Sequence, residues 1–420
     1  MKVCIIGAGL TGLSTAVDLV NQGGYDIHIF EASSNIGGIA HVRNVDGRAF
    51  HTCGGHCFNT RDPEVISFIQ RNDLEEVTNG NLRNREAVIS FTDGMEIPYP
   101  IELNLRTMFQ QKPILATEVL VSLLRQRLQP RRQPKNLQDF FIQTFGERMA
   151  NLYFLPYNTK VWGRNPRDLT ADWIGGKLPQ APLKDIISSI FGKRTDKMIH
   201  QKFYYPTYKG GGHYLADALL DKCFDHISLH METPVEAIQP RKSGVEINGE
   251  LFDAVISTAP LSKLLSFVQD INIDPEAKNL FPVNGLTTVL REGAPKDRTW
   301  TYLPSSNVRS HRLIHLSNFY ECPQKFSTQE AHGKVDASTM EKDILPNYMN
   351  ARILDYSYTQ NAYPVFIDKT NATRDFVLRE LEEYRIISAG RFGSHSYVNM
   401  DGAIAEGMRA AKRLSTWRLS

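Results

Sequence analysis

The residues that point most directly to chemistry stand at the start of the chain: Gly7-Ala8-Gly9-Leu10-Thr11-Gly12, with Glu31 further along. Glycines at this spacing have a mechanical use. Gly7 permits a tight turn, Gly9 lets the backbone approach a pyrophosphate, and Gly12 lets a helix pack close to a sheet. A helix beginning near Gly9, with Leu10 and Thr11 in its first turn, aims its positive dipole end and unpaired N–H groups at phosphates. Glu31 follows at about 20 residues, where an acid accepts hydrogen bonds from a ribose hydroxyl pair. The chemistry so encoded is dinucleotide binding. A glycine-rich turn in an ordinary α/β protein is the competing reading, and the flanking elements count against it. Val3-Cys4-Ile5-Ile6 has a strand pattern before the turn, and Ile27-His28-Ile29-Phe30 has one before Glu31.

The turn alone does not choose between a nicotinamide cofactor and FAD. A second pair, Gly37-Gly38, follows soon after the acid. That arrangement resembles flavoproteins of the glutathione reductase and amine oxidase type, and by this resemblance the cofactor is FAD.

The elements that must position these residues can be read from pattern. The chain has 420 residues, 22% charged, with a formal net charge of +2. That length suits two or three structural units, and the charge gives no strong field for nucleic acid or a membrane. Arg125, Arg127, Arg131, Arg132 and Lys135 form the densest basic stretch, read as a solvated face. Five cysteines suit a reducing compartment. Cys53-Gly54-Gly55-His56-Cys57 lacks a second ligand pair, so no metal is expected. The first strand begins at once, which leaves no room for a signal peptide, and no apolar run reaches spanning length. The expectation is a soluble, cytoplasmic protein acting on a small molecule, with homo-oligomerisation left open.

Residues 1–60 read as a βαβ unit with its exit loop, and Pro63 to Asn72 as a short helix. Ala87 to Phe91 and Met95 to Pro100 read as a hairpin turning at Asp93-Gly94. From Leu105 to Phe154 the pattern is helical, with Met108, Val119, Val121, Leu123, Leu124, Phe140 and Phe141 as core candidates. A loop through Gly210-Gly211-Gly212 feeds a helix at Tyr214 to Lys222. Short strands follow at Ile227 to Met231, Val235 to Ile238, Gly244 to Ile247 and Leu251 to Thr258. Another strand-rich stretch spans Leu286 to Tyr320, and Gln324 to Asp343, polar and charged, reads as a loop. Arg385 to Ser388 is the last strand and Gly402 to Leu414 the last helix. The fold class is α/β: a Rossmann-type FAD-binding domain, glutathione reductase-like, with a helical insert and an antiparallel-sheet insert. Its expected parts are FAD-binding segments 1–100, 201–265 and 366–420, a mainly helical substrate domain 101–200 and a sheet-rich substrate domain 266–365.

Three further blocks carry a more specific likeness. His51-Thr52-Cys53-Gly54-Gly55-His56-Cys57-Phe58-Asn59-Thr60, Tyr157-Asn158-Thr159-Lys160-Val161-Trp162-Gly163 and Gly390-Arg391-Phe392-Gly393-Ser394-His395-Ser396-Tyr397-Val398-Asn399-Met400-Asp401 resemble loops of the UDP-galactopyranose mutases. Those belong to the wider amine oxidase and protoporphyrinogen oxidase superfamily. Thr233-Pro234-Val235 is shared across that superfamily, where the valine backbone contacts adenine.

What the resemblance implies is an unusual use of FAD. In that family the reduced flavin's N5 attacks the anomeric carbon of a nucleotide sugar, the ring opens through an iminium and recloses at the other size, and no net oxidation occurs. Such chemistry needs cations at the departing pyrophosphate and exclusion of water. By the same resemblance Arg312, Tyr356, Tyr397 and His56 are the catalytic candidates. Tyr157, Trp162 and His395 are the substrate-side ones. Gly7, Gly9, Leu10, Thr11, Gly12, Glu31, Gly37, Gly38, Gly55, Val235, Gly390, Arg391, Asn399, Met400 and Asp401 are the FAD-binding ones. Tyr204, Tyr205, Tyr208 and Tyr214 suit a substrate wall or ordinary packing, and the Gly210 loop a lid.

Departures are as informative. The family's second pyrophosphate arginine falls at Ala181, its first closing tyrosine at His395 and an aspartate at Asn399. The expected substrate is therefore an activated nucleotide sugar other than UDP-galactose, or another anionic metabolite. The alternatives are a true oxidoreductase of the amine or protoporphyrinogen oxidase kind and a non-catalytic flavin-binding protein.

Overall fold

A computed structural model describes residues 1–78, 81–130, 132–174, 181–192, 202–205, 214–343 and 351–419. The Gly210 loop and Tyr208 lie outside the described residues. The chain divides into two units, one of Met1–Asn81, Tyr204–Val283 and Asn361–Ser420, the other of Leu82–Phe203 and Asn284–Gln360.

In the first unit five parallel strands lie in the spatial order Ile386–Ser388, Ala254–Ser257, Lys2–Ile6, Asp26–Phe30, Ile227–His230. Counted along the chain from the far edge this is 3-2-1-4-5, the Rossmann order. Both faces are covered, as a parallel sheet requires. Val3, Ile5, Ile27, Ile29, Ala254 and Ile256 enter one buried cluster. Their alternates Cys4, Ile6, Phe30 and Val255 enter another. The helix Leu10–Gln22 starts at the extended Gly9 and stops at Gly23, whose φ of 71° ends it. Together with Met400–Leu419 it covers the first face. A Cβ at Gly407 would lie 2.5 Å from the Thr11 carbonyl oxygen, so glycine sets how closely these two helices approach.

Two expected strands are corrected here. Val235 to Ala237 join no ladder, and pairing starts only at Ile238–Arg241, the first strand of a small antiparallel sheet. The run Leu251 to Thr258 breaks into Glu250–Phe252 and Ala254–Ser257, which belong to different sheets. Asp253 is the joint: its carboxylate accepts the Lys2 N–H at 2.6 Å and its own N–H donates to the Lys2 carbonyl at 2.8 Å.

The second unit carries seven strands in the order Ile353–Pro364, Val283–Glu292, Phe326–His332, Arg312–Ile314, Trp300–Tyr302, Ala87–Ser90, Glu96–Pro98. The hairpin that sequence assigned to the first FAD segment thus forms one edge of this sheet. Among its helices are Leu105–Gln111, Pro113–Arg127, Leu137–Phe145, Leu155–Trp162 and Leu183–Ile190. Asn136 caps the third of these by accepting the Asp139 N–H. Met108, Val119, Leu123 and Phe141 are buried as expected, but Val121 is 39% exposed, because the buried stripe of its helix passes through Ala116, Val119 and Leu123 instead.

The stretch Gln324 to Asp343, expected to be a loop, holds the central strand Phe326–His332 and the short helix Ala337–Glu341. Every residue from Phe326 to Ala331 is buried. Polarity misleads here because several of the buried polar groups find partners inside the unit. Ser327 Oγ bonds the His315 ring and donates to the Gly293 carbonyl, Gln329 donates to Ser310 Oγ, and Glu330 pairs with Arg312. Among the described residues no helix is long and apolar enough to cross a membrane.

Candidate functional site

The first unit supplies a cradle. The Gly7 N–H donates to the Phe30 carbonyl at 2.8 Å, and Gly7 has φ of 101°, which L side chains rarely adopt. A Cβ on Gly12 would lie 2.0 Å from the Gly7 carbonyl oxygen. Gly9 differs: the nearest protein atom to a Cβ there is Gly38 Cα at 4.0 Å. The protein itself therefore leaves room above Gly9, where a pyrophosphate needs backbone rather than side chain, so the cradle fits a dinucleotide. Gly37 and Gly38 have positive φ, and the Gly37 N–H donates to the Ala8 carbonyl, closing the second glycine pair onto the first loop. Leu10 and Thr11 open the helix, and Thr11 Oγ1 donates to the Ala403 carbonyl.

Glu31 is committed to shaping this loop. One carboxylate oxygen accepts the Ala8 N–H at 2.8 Å, and the other accepts the N–H and hydroxyl of Ser33, both at 2.9 Å. Its lone pairs are numerous enough to accept a ribose hydroxyl as well. The Thr233 N–H donates to the Glu31 carbonyl, which brings the buried Val235 near the same strand end. Gly390 has φ of 87° and abuts Thr11, and Asn399-Met400-Asp401 open the long C-terminal helix. Burial raises the Asp401 carboxyl above its ordinary range, against a hydrogen bond from Thr60 that lowers it. The loop ending at Thr60 is thereby tied to that helix start.

Within this loop the anchor is His51, which the sequence reading did not single out. Its Nδ1 accepts the His56 N–H at 3.1 Å, so Nε2 carries the ring proton and donates to the Tyr205 hydroxyl at 2.7 Å. The His56 ring stacks on His51 at 5.6 Å, and Gly55 lies between them in the chain. Phe58 and Tyr204 exchange two backbone hydrogen bonds that fasten the far end of the loop.

Tyr397 is held by Arg391. The guanidinium lies 4.4 Å from the Tyr397 ring centroid and 5.3 Å from that of Tyr363, while donating to the Val398 and Ala362 carbonyls. Tyr363 stacks on Tyr397 at 6.2 Å and 11°. Sequence reading missed Tyr363; Ala362-Tyr363-Pro364, which closes a long strand, was the available signal. His395, nominated for the substrate side, is corrected: it is fully buried between Phe281 and Phe366, with Nε2 on the Val365 carbonyl at 3.0 Å. Burial pulls its pKa down to about 4, so it is a neutral packing residue.

In the second unit Tyr302, Arg312 and Glu330 face one another across three adjacent strands. Arg312 donates through Nε at 2.7 Å and Nη2 at 2.5 Å to one carboxylate oxygen of Glu330. The Tyr157 ring meets Tyr302 at 5.4 Å and His311 at 6.1 Å, so the structure brings Tyr157 and Arg312 onto one face. Arg85 donates to the Tyr302 hydroxyl at 2.5 Å, and Tyr153 stacks on Tyr157.

Tyr356 does not join them. It packs against the cluster of Val289, Ala331, Val335 and Met340, in which Val289 and Ala331 adjoin Thr288 and Glu330 in sequence and so point to the other face of the sheet. Trp162 is 3% exposed, edge-on to Trp173, with its indole N–H on the Asn158 side-chain oxygen. It is a core aromatic rather than an open platform. Lys160 donates to the Leu303 and Ser305 carbonyls at 2.6 and 3.0 Å, and burial pulls its pKa down to about 7. The Ala181 carbonyl accepts from Arg127 Nη2 at 3.3 Å. Residues 175–180 lie outside the described residues. Among those described, no group of three or more His, Cys, Asp or Glu side chains could hold a metal ion.

Comparisons with known proteins agree with the fold. In fold the chain is similar to a solved, reduced UDP-galactopyranose mutase, with a TM-score of 0.86, 23% identity, and coverage of 99% of this chain and 96% of that one. It is 22% identical to the dTDP-fucopyranose mutase of Escherichia coli over 172 residues, 40% of this chain and 44% of that protein. It is also 21% identical to protoporphyrinogen oxidase 2 of Arabidopsis thaliana over 323 residues, 65% of this chain and 63% of that protein. The matched stretches thus span about half to under two thirds of those relatives' lengths. A family model described as flavin containing amine oxidoreductase matches residues 10–291, more than half of the chain. The chain therefore belongs to the flavin-containing amine oxidoreductase family.

Proposed function

We propose that this protein is an FAD-dependent mutase-type enzyme that interconverts the ring forms of a sugar activated by a nucleoside pyrophosphate. The observation that carries the reading is the shared face of Tyr157, Tyr302 and Arg312. A planar fork of positive charge beside aromatic rings is what a nucleoside pyrophosphate requires. When bound, reduced FAD supplies a nucleophilic nitrogen for the anomeric carbon and ends the cycle in the redox state in which it began.

The chain's own residues do the rest. Arg312 meets the negative charge that grows on the departing pyrophosphate, where a fixed donor acts most strongly. Arg391 holds Tyr397 and Tyr363 stacked, and His51 fixes the loop that carries Gly55 and His56. The relatives named as mutases and the fold shared with one of them support the reading. Ala181, which offers no second cation, makes the substrate something other than UDP-galactose.

A second reading, substrate oxidation of the amine or protoporphyrinogen oxidase kind, is favoured by that same alanine and by the relative in Arabidopsis. Chromatography of a panel of nucleotide sugars, incubated with and without dithionite, separates them. Isomers formed only in the presence of dithionite support the mutase. Oxidised product formed without it supports the oxidase.

A further inference from the structure

Glu330 is an expensive residue to keep where it is. Its side chain has no exposure, against 21% for Arg312. One oxygen, Oε2, takes both contacts from Arg312 and lies 3.5 Å from His311 Nε2. The other, Oε1, is buried with no hydrogen-bond partner among the described residues, as are the neighbouring hydroxyls of Thr288 and Thr328. Burial opposes ionisation here, but Arg312 and then His311 outweigh it, and the carboxyl stays below its ordinary range. His311, itself buried, is held as a neutral imidazole with its pKa down at about 4.

A buried ion pair of this kind is seldom retained for stability, since apolar residues of similar volume commonly do as well. What the pair does provide is direction. Nε and Nη2 lie along one edge of the guanidinium, and Glu330 occupies that edge. The two Nη groups form a second edge with the geometry for a bidentate oxyanion contact. Arg312 and Glu330 sit directly opposite each other on paired strands, so the carboxylate has a fixed origin.

We propose that Glu330 is a positioning residue for anion capture: it holds the Arg312 guanidinium so that its outer edge meets the substrate pyrophosphate, and it acts only through Arg312. This rests on the reading of Arg312 as the cation that holds the substrate. A merely structural Glu330 would support the sheet whatever stood at position 312. Lysine separates the cases, because it keeps the charge and lacks the fork.

The test is a double-mutant cycle on the FAD-loaded protein, with inorganic pyrophosphate as the probe and calorimetry as the readout. Glu330→Asp keeps the charge and withdraws it by one methylene, so geometry alone changes. It is expected to weaken pyrophosphate binding roughly tenfold in the Arg312 protein and by less than about twofold in the Arg312→Lys background. Equal factors in both backgrounds, no effect in either, or no pyrophosphate binding by the unaltered protein would overturn the proposal. Should Glu330→Asp not fold, Glu330→Gln keeps the length, and its effect on binding must likewise vanish in the Arg312→Lys background. A coupled cycle in a protein that turns over no nucleotide sugar would refute the mutase reading and leave the role of Glu330 standing.

Discussion

Arg312→Met should cost far more stability than a half-buried arginine usually does, because Glu330 is left behind. The carboxylate has no exposure and loses the group that donates to it twice. Breaking a buried pair by removing one partner costs about 3–5 kcal/mol. The cost should also depend on pH. In the wild type the folded-state pKa of Glu330 lies below its unfolded value, so its stabilisation is present at neutral pH and is lost as pH falls below the ordinary carboxylate range through the folded-state value. Without Arg312, burial dominates and the folded-state pKa rises above the unfolded one. The variant then loses stability as pH rises through the acid range, and its deficit widens from pH 4.5 to pH 8. The limiting slope is about 1.4 kcal/mol per pH unit for one proton. Urea unfolding followed by tryptophan fluorescence is a suitable assay, since Trp162, Trp173 and Trp300 lie in the second unit and Trp417 in the first. Arg312→Met/Glu330→Gln should recover at least half of the loss at pH 8. A variant within about 1 kcal/mol of wild type at pH 8, or a deficit that ignores pH, would refute the reasoning.

Two other outcomes follow from single residues. Gly12→Ala drives a Cβ to 2.0 Å from the Gly7 carbonyl oxygen, so the purified variant should be nearly colourless, with a 450 nm to 280 nm absorbance ratio below about a tenth of wild type. Glu102 is 3% exposed with Oε2 unpartnered among the described residues, and burial raises its carboxyl from 4.5 to about 7. Its stabilisation is present below pH 4.5 and is lost as pH rises through 7. Glu102→Gln should therefore gain about 3 kcal/mol on wild type between pH 4.5 and pH 8, read from denaturant midpoints.

The cofactor half was legible because its constraints are local. Gly7, Gly12 and Glu31 act on residues close in sequence or on the next strand, and spacing alone encodes that. The substrate half depends on which face of a sheet a side chain takes, and that depends on register. Tyr356 was nominated from a motif, yet it packs with the cluster of Val289, Ala331, Val335 and Met340, where Val289 and Ala331 take the face opposite to that of Arg312 and Glu330. Tyr363, seven residues on, stacks on Tyr397 instead. The central strand Phe326–His332 was hidden for a related reason. Its Gln329 and Glu330 look like surface residues until pairing with the preceding strand lays Ser310 and Arg312 beside them, a register that no motif spacing encodes. His395 reads as a substrate-side residue in sequence, and only the closure of Phe281 and Phe366 around it shows that it is sealed.

The most direct test is redox accounting under anaerobic conditions. FAD-loaded protein is mixed with nucleotide sugars while the flavin spectrum and the products are followed together. If the account holds, the oxidised protein neither bleaches nor turns over, and the once-reduced protein isomerises many equivalents of sugar while its flavin stays reduced and no further reductant is consumed. Bleaching of the oxidised flavin by substrate, matched by an equivalent of oxidised product, would contradict it.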